Sequence, residues 1–355
     1  MHNAKGLVPK NAPNSFSVHN SLSVRSWCHL VWILALLGAT ALPAQPSPPE
    51  PIIDVHLHAV PVDSNGPPPS YICAPFDRWQ AWDPKTGEQA VAESVSVHPR
   101  CKTPLASPRT NAEMQTRTLD ILLRYNITAI VSGSNDLIDR WKQAGGERIL
   151  PAVSFDAQSG KPTVEELRAF VKLHPVAAFA EITQQYNGIA ANVARMEPYY
   201  ALAEELDIPV GIHMGPGPPG ISYFGAPAYR MKLSSMLLLE DVLVRHPHLR
   251  LWAMHAGWPL GDDAIAALYA HPQLYVDVGV IAYTTPKAEF YSYLKRLVDA
   301  GFEDRILFGS DQMVWPEAEI AALETIQAAP FLSKEQKRDI LFNNAVRFLR
   351  LKPQQ

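Results

Sequence analysis

Cysteine is scarce, with three in 355 residues, which excludes a small disulfide scaffold. Positive charge is scarce as well: lysine and arginine total 31 against 35 acidic residues, a formal charge of −4, so no concentrated basic face is on offer to DNA or RNA. The one GxGxxG-like stretch after a strand-like run, Gly215-Pro216-Gly217-Pro218-Pro219-Gly220, is dominated by prolines, which lack the N–H donors of a phosphate cradle. The longest apolar run, Trp27 to Leu42, is shorter than the roughly 20 residues of a membrane span. What the chain has in quantity is proline, 32 residues of which 16 precede Thr110, and apolar side chains at 47%, enough for a large core.

The front of the chain reads as an address. Arg25 precedes the apolar run, and the small residues Ala39-Thr40-Ala41 follow it before Pro43-Ala44-Gln45, the layout of a secretory signal peptide over residues 1–44. Export to the periplasm or medium is the expectation, with no stable membrane insertion after cleavage. Removal of residues 1–44 takes away Lys5, Lys10 and Arg25 and moves the formal charge from −4 to −7. It also leaves only Cys73 and Cys101, which either pair in an oxidising compartment or remain as two thiols. Residues 45–50 read as a linker and 51–355 as the catalytic region.

From Ile52 onward, short β-branched runs alternate with segments of helical period. Strands are expected at Ile52–His58, Ile127–Gly133, Ile149–Phe155, Val176–Thr183, Pro209–Gly215, Leu249–Gly257, Leu274–Val280 and Arg305–Asp311. Helices are expected at Ala112–Tyr125, Thr163–Leu173, Ile189–Leu206, Met231–Arg245, Pro286–Ala300 and Pro316–Ala328. This alternation predicts an α/β fold, a (β/α)8 TIM barrel, with an open doubly wound sheet as the competing arrangement. Residues 61–108 break the pattern. They are rich in proline, carry Tyr71, Phe76, Trp79 and Trp82, and leave the C-terminal end of the first strand, which in a barrel is the catalytic face. A lid is the expectation.

Ligand-type side chains recur at strand ends. His56 and His58 sit two apart in Asp54-Val55-His56-Leu57-His58 and therefore share a face. His213, His255 and Asp311 close the fifth, sixth and eighth strands, and Glu181 closes the fourth. An apolar strand interior is a costly place for such groups unless something pairs with them, and a divalent cation does so. Neutral imidazole suits Zn²⁺ and related transition metals. His174, His246, His248 and His271 lie beside prolines or at helix ends, where capping and solvation explain them, and His98 is expected to be exposed.

Asp54-Val55-His56-Leu57-His58, His213, His255-Ala256-Gly257-Trp258-Pro259, Phe308-Gly309-Ser310-Asp311 and Asn343-Asn344-Ala345-Val346-Arg347-Phe348-Leu349, in this order, resemble the amidohydrolase superfamily. The likeness is to the amidohydrolase-related branch that includes aminocarboxymuconate-semialdehyde decarboxylase. The resemblance implies one ion, taken as zinc, held by His56, His58, His213 and Asp311, with His255 near the metal-bound water or the substrate. Glu181 stands where binuclear members carry a bridging group, so it reads either as support for a second ion or as an acceptor that orients His213 or the substrate.

The reaction expected is hydrolysis of an ester, lactone or amide of a small molecule. Asp311 would handle the proton and His255 would help hold the oxyanion. The same set of ligands also allows non-oxidative decarboxylation of an aromatic or dienoic acid, and an exported binding protein that has lost the chemistry is a third reading. Trp258, Tyr223 and Arg230 are the candidates for substrate contact, with Phe224, Tyr229, Trp315 and Arg195 near the same loops. A homo-oligomer is compatible with the sequence.

Overall fold

The computed structural model describes residues 49–351, so the predicted signal peptide and most of the predicted linker lie outside the described residues. Eight parallel strands form one sheet in the order β1 (Ile52–Ala59), β4 (Ile127–Gly133), β5 (Ile149–Val153), β6 (Ala178–Ile182), β7 (Val210–His213), β8 (Leu251–Met254), β9 (Leu274–Asp277) and β10 (Ile306–Leu307). Val55 N–H donates to Phe308 O (2.9 Å) and Asp311 N–H to His56 O (2.6 Å), which joins the last strand segment to the first. The result is the expected TIM barrel. Among the described residues, no helix is long and apolar enough to cross a membrane.

Helices follow the strands on the outside: α2 (Asn111–Arg124), α3 (Asn135–Gly145), α4 (Val164–Leu173), α5 (Glu197–Glu205), α7 (Glu240–Arg245), α8 (Gly261–Ala270), α10 (Lys287–Asp299) and α11 (Glu317–Gln327). Thr110 caps α2 by accepting from Glu113 N–H, and Thr163 with Glu166 forms a capping box at α4. The predicted Met231–Arg245 helix is instead two 3₁₀ turns and a six-residue α7, and Ile189–Leu206 is α-helical only from Glu197, after a 3₁₀ turn at Ala194–Met196.

Two apolar layers hold the barrel. The outer one packs strands against helices, and the inner one fills the lumen with Ile53, Val55, Ile130, Ala152, Ala178, Ala180, Trp252, Met254 and Leu307. Ala345 and Phe348 of α13 (Asn344–Leu349) join that inner layer. Gly211 is required there. A Cβ on it would stand 2.3 Å from the Trp252 indole.

Residues 61–108 are not irregular throughout. They contain the antiparallel pair β2 (Tyr71–Cys73) and β3 (Pro104–Ala106) and the short α1 (Glu88–Ala92). Cys73 and Cys101 form a disulfide with Cα atoms 5.9 Å apart, which resolves the alternative left open by the sequence.

Candidate metal centre

Two register breaks aim ligands into the barrel mouth. In β1 the pairing with β4 shifts between Asp54 and Leu57: Ile53 and Val55 belong to the lumen cluster, whereas Leu57 and Ala59 belong to the outer core. The strand thus changes phase, and His56 and His58 turn inward while Asp54 does not share their face. β6 shifts in the same way between Phe179 and Ile182, just where Glu181 sits. Bulges beside active sites commonly re-aim side chains in this manner. His255 and Asp311 follow their strands in left-handed conformations, φ 61° and 51°, the kind of local strain found at functional sites.

The inward groups meet. His58 Nε2 lies 3.0 Å from Asp311 Oδ1 and 3.5 Å from Glu181 Oε2. His56 Nε2 is 3.6 Å and His255 Nε2 is 3.5 Å from Glu181 Oε1. Three overlapping triads, His56/His255/Asp311, His56/His58/Glu181 and Glu181/His213/His255, each bring their donor atoms within 4.8 Å of one another. All six candidate residues therefore converge. Glu181, His56 and His255 each belong to two of the triads, and Glu181 and His255 together bring His213 to the rest.

Every histidine is anchored by its other nitrogen. His56 Nδ1 donates to Asp277 Oδ2 (3.1 Å), His58 to Ser132 Oγ (3.1 Å), His213 to Gln185 Oε1 (2.7 Å) and His255 to Gly279 O (2.9 Å). This fixes the tautomer with Nε2 facing the centre, as metal-ligating histidines are held. His56 Nε2, His58 Nε2, His255 Nε2 and Asp311 Oδ1 are buried with no hydrogen-bond partner. Dry, unpartnered donors of this kind are costly unless a cation completes them, so the residues fit a divalent metal.

Charge follows the same logic. Burial opposes protonation of His56, but Asp277 and Asp311 outweigh it and hold its pKa well above the usual imidazole range. Burial also opposes a charge on His255, whose pKa is nonetheless raised by Glu181 and Asp311. His213 is pushed down to about 3 by burial and by its neighbour His255, so it stays neutral. Glu181, despite burial, is kept well below the usual carboxylate range by His255 and His56.

Sequence reasoning missed the supporting residues. Asp277 accepts from Trp252 Nε1–H (3.0 Å), His255 N–H (3.0 Å) and Gly279 N–H (2.9 Å) besides His56, and Gly279 has no room for a Cβ, which would lie 2.7 Å from His56 Nδ1. A carboxylate inside Leu274-Tyr275-Val276-Asp277 was the available signal. Gln312 pins His58, accepting from its N–H and donating to its O. Asp54 accepts from His56 N–H and from Ser310 N–H and Oγ–H, tying the two ligand-bearing strand ends together. Tyr186 packs edge-on against His213, ring centroids 4.9 Å apart, and burial together with Glu181 and Asp311 holds its phenol well above its usual pKa. Its neighbour Tyr229 uses its hydroxyl on Gly215 O and Gly217 N–H.

The predicted substrate contacts fall at the rim. Trp258 stacks near Trp79 and Tyr223 near Trp82, at centroid distances of 6.3 and 5.2 Å. Arg230 is exposed and its guanidinium is tied to Pro227 O and Tyr229 O, so it does not reach the cluster. Trp315 is buried and donates to Ser70 O, and Tyr229 is buried as well. His246 is corrected from a solvated residue to a buried one, held between Glu197 and Glu204. His271 is also buried, and His98 is exposed as expected.

A barrel with histidines and carboxylates converging at the C-terminal ends of its strands defines a metal-dependent enzyme scaffold of the TIM-barrel class. The amidohydrolase family profile matches residues 53–351, and the chain belongs to that family. None of the curated proteins matches the chain. Among solved structures, it is similar to 2,6-dihydroxybenzoate decarboxylase from Rhizobium, with 14% identity and a TM-score of 0.54 over 85% of this chain and 99% of that one. It is similar as well to a probable 2-pyrone-4,6-dicarboxylic acid hydrolase from Acinetobacter baumannii, with 14% identity and a TM-score of 0.55 over 85% of this chain and all (100%) of the other. A third likeness, with 15% identity and a TM-score of 0.50 over 66% of this chain and 80% of the other, is to a manganese complex of 5-carboxyvanillate decarboxylase from Novosphingobium aromaticivorans. At these identities the likenesses speak to the fold.

Proposed function

We propose that this amidohydrolase is an exported, metal-dependent hydrolase of a small neutral ester, lactone or amide. The observation that carries the reading is the set of four histidines anchored through Nδ1, whose free faces meet Glu181 and Asp311. His56, His58, Glu181 and Asp311 would hold the ion, with His213 and His255 beside them; imidazole and carboxylate donors suit Zn²⁺. Such an ion, when bound, supplies a Lewis acid and a water acidic enough to react near neutral pH.

The chain's own residues do the rest. Asp311, with one unpartnered oxygen, accepts the proton of the attacking water and returns it to the leaving group. His255 faces the same centre and is placed to hold the oxygen that gains charge. Tyr186 stays a neutral phenol and offers a second donor at the His213 side.

Hydrolysis of a neutral substrate is favoured over decarboxylation because, among the described residues, no lysine or arginine is fully buried, so no guanidinium or ammonium group is set to receive a carboxylate at the centre. The disulfide and the leader-like N-terminus support an oxidising compartment. The test is a panel of neutral lactones, esters and amides beside aromatic acids, run on protein loaded with Zn²⁺ or Mn²⁺. Acid release from the neutral compounds is expected. Release of CO₂ from the aromatic acids, with the neutral compounds inert, would overturn the assignment.

A further inference from the structure

The segment between Cys73 and Cys101 touches the loops that follow β7, β8 and β9. Phe76 N–H donates to Thr284 O (2.9 Å) after β9. Phe76, Trp79 and Trp258 form a row with centroid spacings of 5.1 and 6.3 Å, and Trp258 stands three residues beyond His255. Trp82 packs on Tyr223 at 5.2 Å, and Val91 lies so close to Gly220 that a Cβ there would stand 2.5 Å from it, both in the loop after His213. Beneath these contacts the cluster is dry: side-chain exposure is 0% for His56, 6% for His58, 1% for His255, 9% for Asp311 and 11% for Glu181.

The two ends of this segment are held differently. Its base is fixed by the disulfide and the β2–β3 ladder, while its far side rests on the aromatic pairs and Val91. Trp79 remains 42% exposed even in contact with Trp258. A covalent base with a weakly held tip is the construction of a hinged cover.

We propose that residues 74–100 are a cover anchored by the Cys73–Cys101 bond, and that Trp79, closing against Trp258, is the specificity determinant that admits compact monocyclic ligands and refuses bulky ones. The proposal rests on the reading of the histidine cluster as the metal centre. Opening the tip lets a ligand in; packing Trp79 back on Trp258 excludes water from the cluster. The disulfide keeps the opening local by preventing the 28-residue separation between its cysteines from relaxing into a long flexible loop.

The test uses the full chain loaded with Zn²⁺ and two chelators, planar monocyclic pyridine-2,6-dicarboxylate and the larger EDTA, each followed for its concentration-dependent rate of metal withdrawal. In the wild type the compact chelator should act faster. In W79A, and in the double variant C73S/C101S, the EDTA rate should rise about tenfold relative to the compact chelator, the kind of change expected when a closing segment is released. An unchanged rate ratio in both variants would overturn the cover. If the chain takes up no metal, the metal-centre reading fails, and trypsin cleavage at the exposed Arg78 and Lys85 still decides the cover. Cleavage much faster in C73S/C101S, with the barrel intact by circular dichroism, supports it; equal cleavage contradicts it.

Discussion

Two histidine–carboxylate clusters in this molecule have similar composition and opposite logic. At the outer surface His246 bonds Glu204 through Nδ1 (2.9 Å) and Glu197 through Nε2 (2.8 Å), with Arg245 also on Glu197. Both ring nitrogens are used, both glutamates are partly open to water, and nothing is left to bind. In the barrel mouth each histidine commits only Nδ1, and the other nitrogens point at Glu181 and Asp311 with no hydrogen bond completed at His56, His58 or His255. The comparison teaches that residue type does not make a metal centre. Anchoring one nitrogen while leaving the other dry and convergent does.

The largest effect should come from Asp311, which serves both binding and proton transfer. Asp311→Asn keeps shape and loses basicity, so turnover should fall about a thousandfold or more in steady-state assays, while His246→Asn leaves it unchanged. Next is Asp277, the anchor of His56. Asp277→Asn should weaken metal affinity about 10- to 100-fold in a competitive chelator titration. Unchanged affinity would mean that the Nδ1 anchors are incidental.

Tyr186→Phe removes a donor without disturbing the metal, so kcat should drop about tenfold or more with metal content constant. Proton competition sharpens the contrast further. The metal-free His56 holds a proton well above the usual range, and a metal must displace it; affinity should therefore rise with pH, about tenfold per unit, until pH passes that raised pKa. Affinity flat from pH 5 to 8 would remove His56 from the site. The smallest effect belongs to the surface cluster. His246→Leu leaves Glu197 and Glu204 without their shared partner and should cost about 1–3 kcal/mol, a Tm shift of a few degrees by calorimetry. It should leave metal binding intact.

Much of the barrel was legible in the sequence because its strands are short apolar runs with period and punctuation, and β4 begins and ends where the pattern places it. The strand ends were less legible. Leu249–Gly257 and Arg305–Asp311 shrink to Leu251–Met254 and Ile306–Leu307, because the last residues of each leave the ladder to present His255 and Asp311. Helix α3 went unread, since Asn135-Asp136-Leu137-Ile138 looks like a polar loop until Leu137, Ile138 and Trp141 are seen buried together. The ligands themselves were readable because histidine in an apolar run is conspicuous. Their anchors were not, because Ser132, Gln185, Gln312 and the carbonyl of Gly279 carry no pattern and matter only through distances set by the closed barrel. The phase changes at Val55 and Glu181 were equally invisible, since a register shift depends on the neighbouring strand.

The most direct measurement is elemental analysis after equilibrium dialysis against Zn²⁺ or Mn²⁺, on the wild type, on His56→Ala and on His246→Leu in parallel. The account predicts at least one tightly held divalent ion per chain in the wild type and in the His246 variant, and its loss in the His56 variant. A wild type that emerges without metal, or a His56 variant that keeps its ion with undiminished affinity, would contradict it.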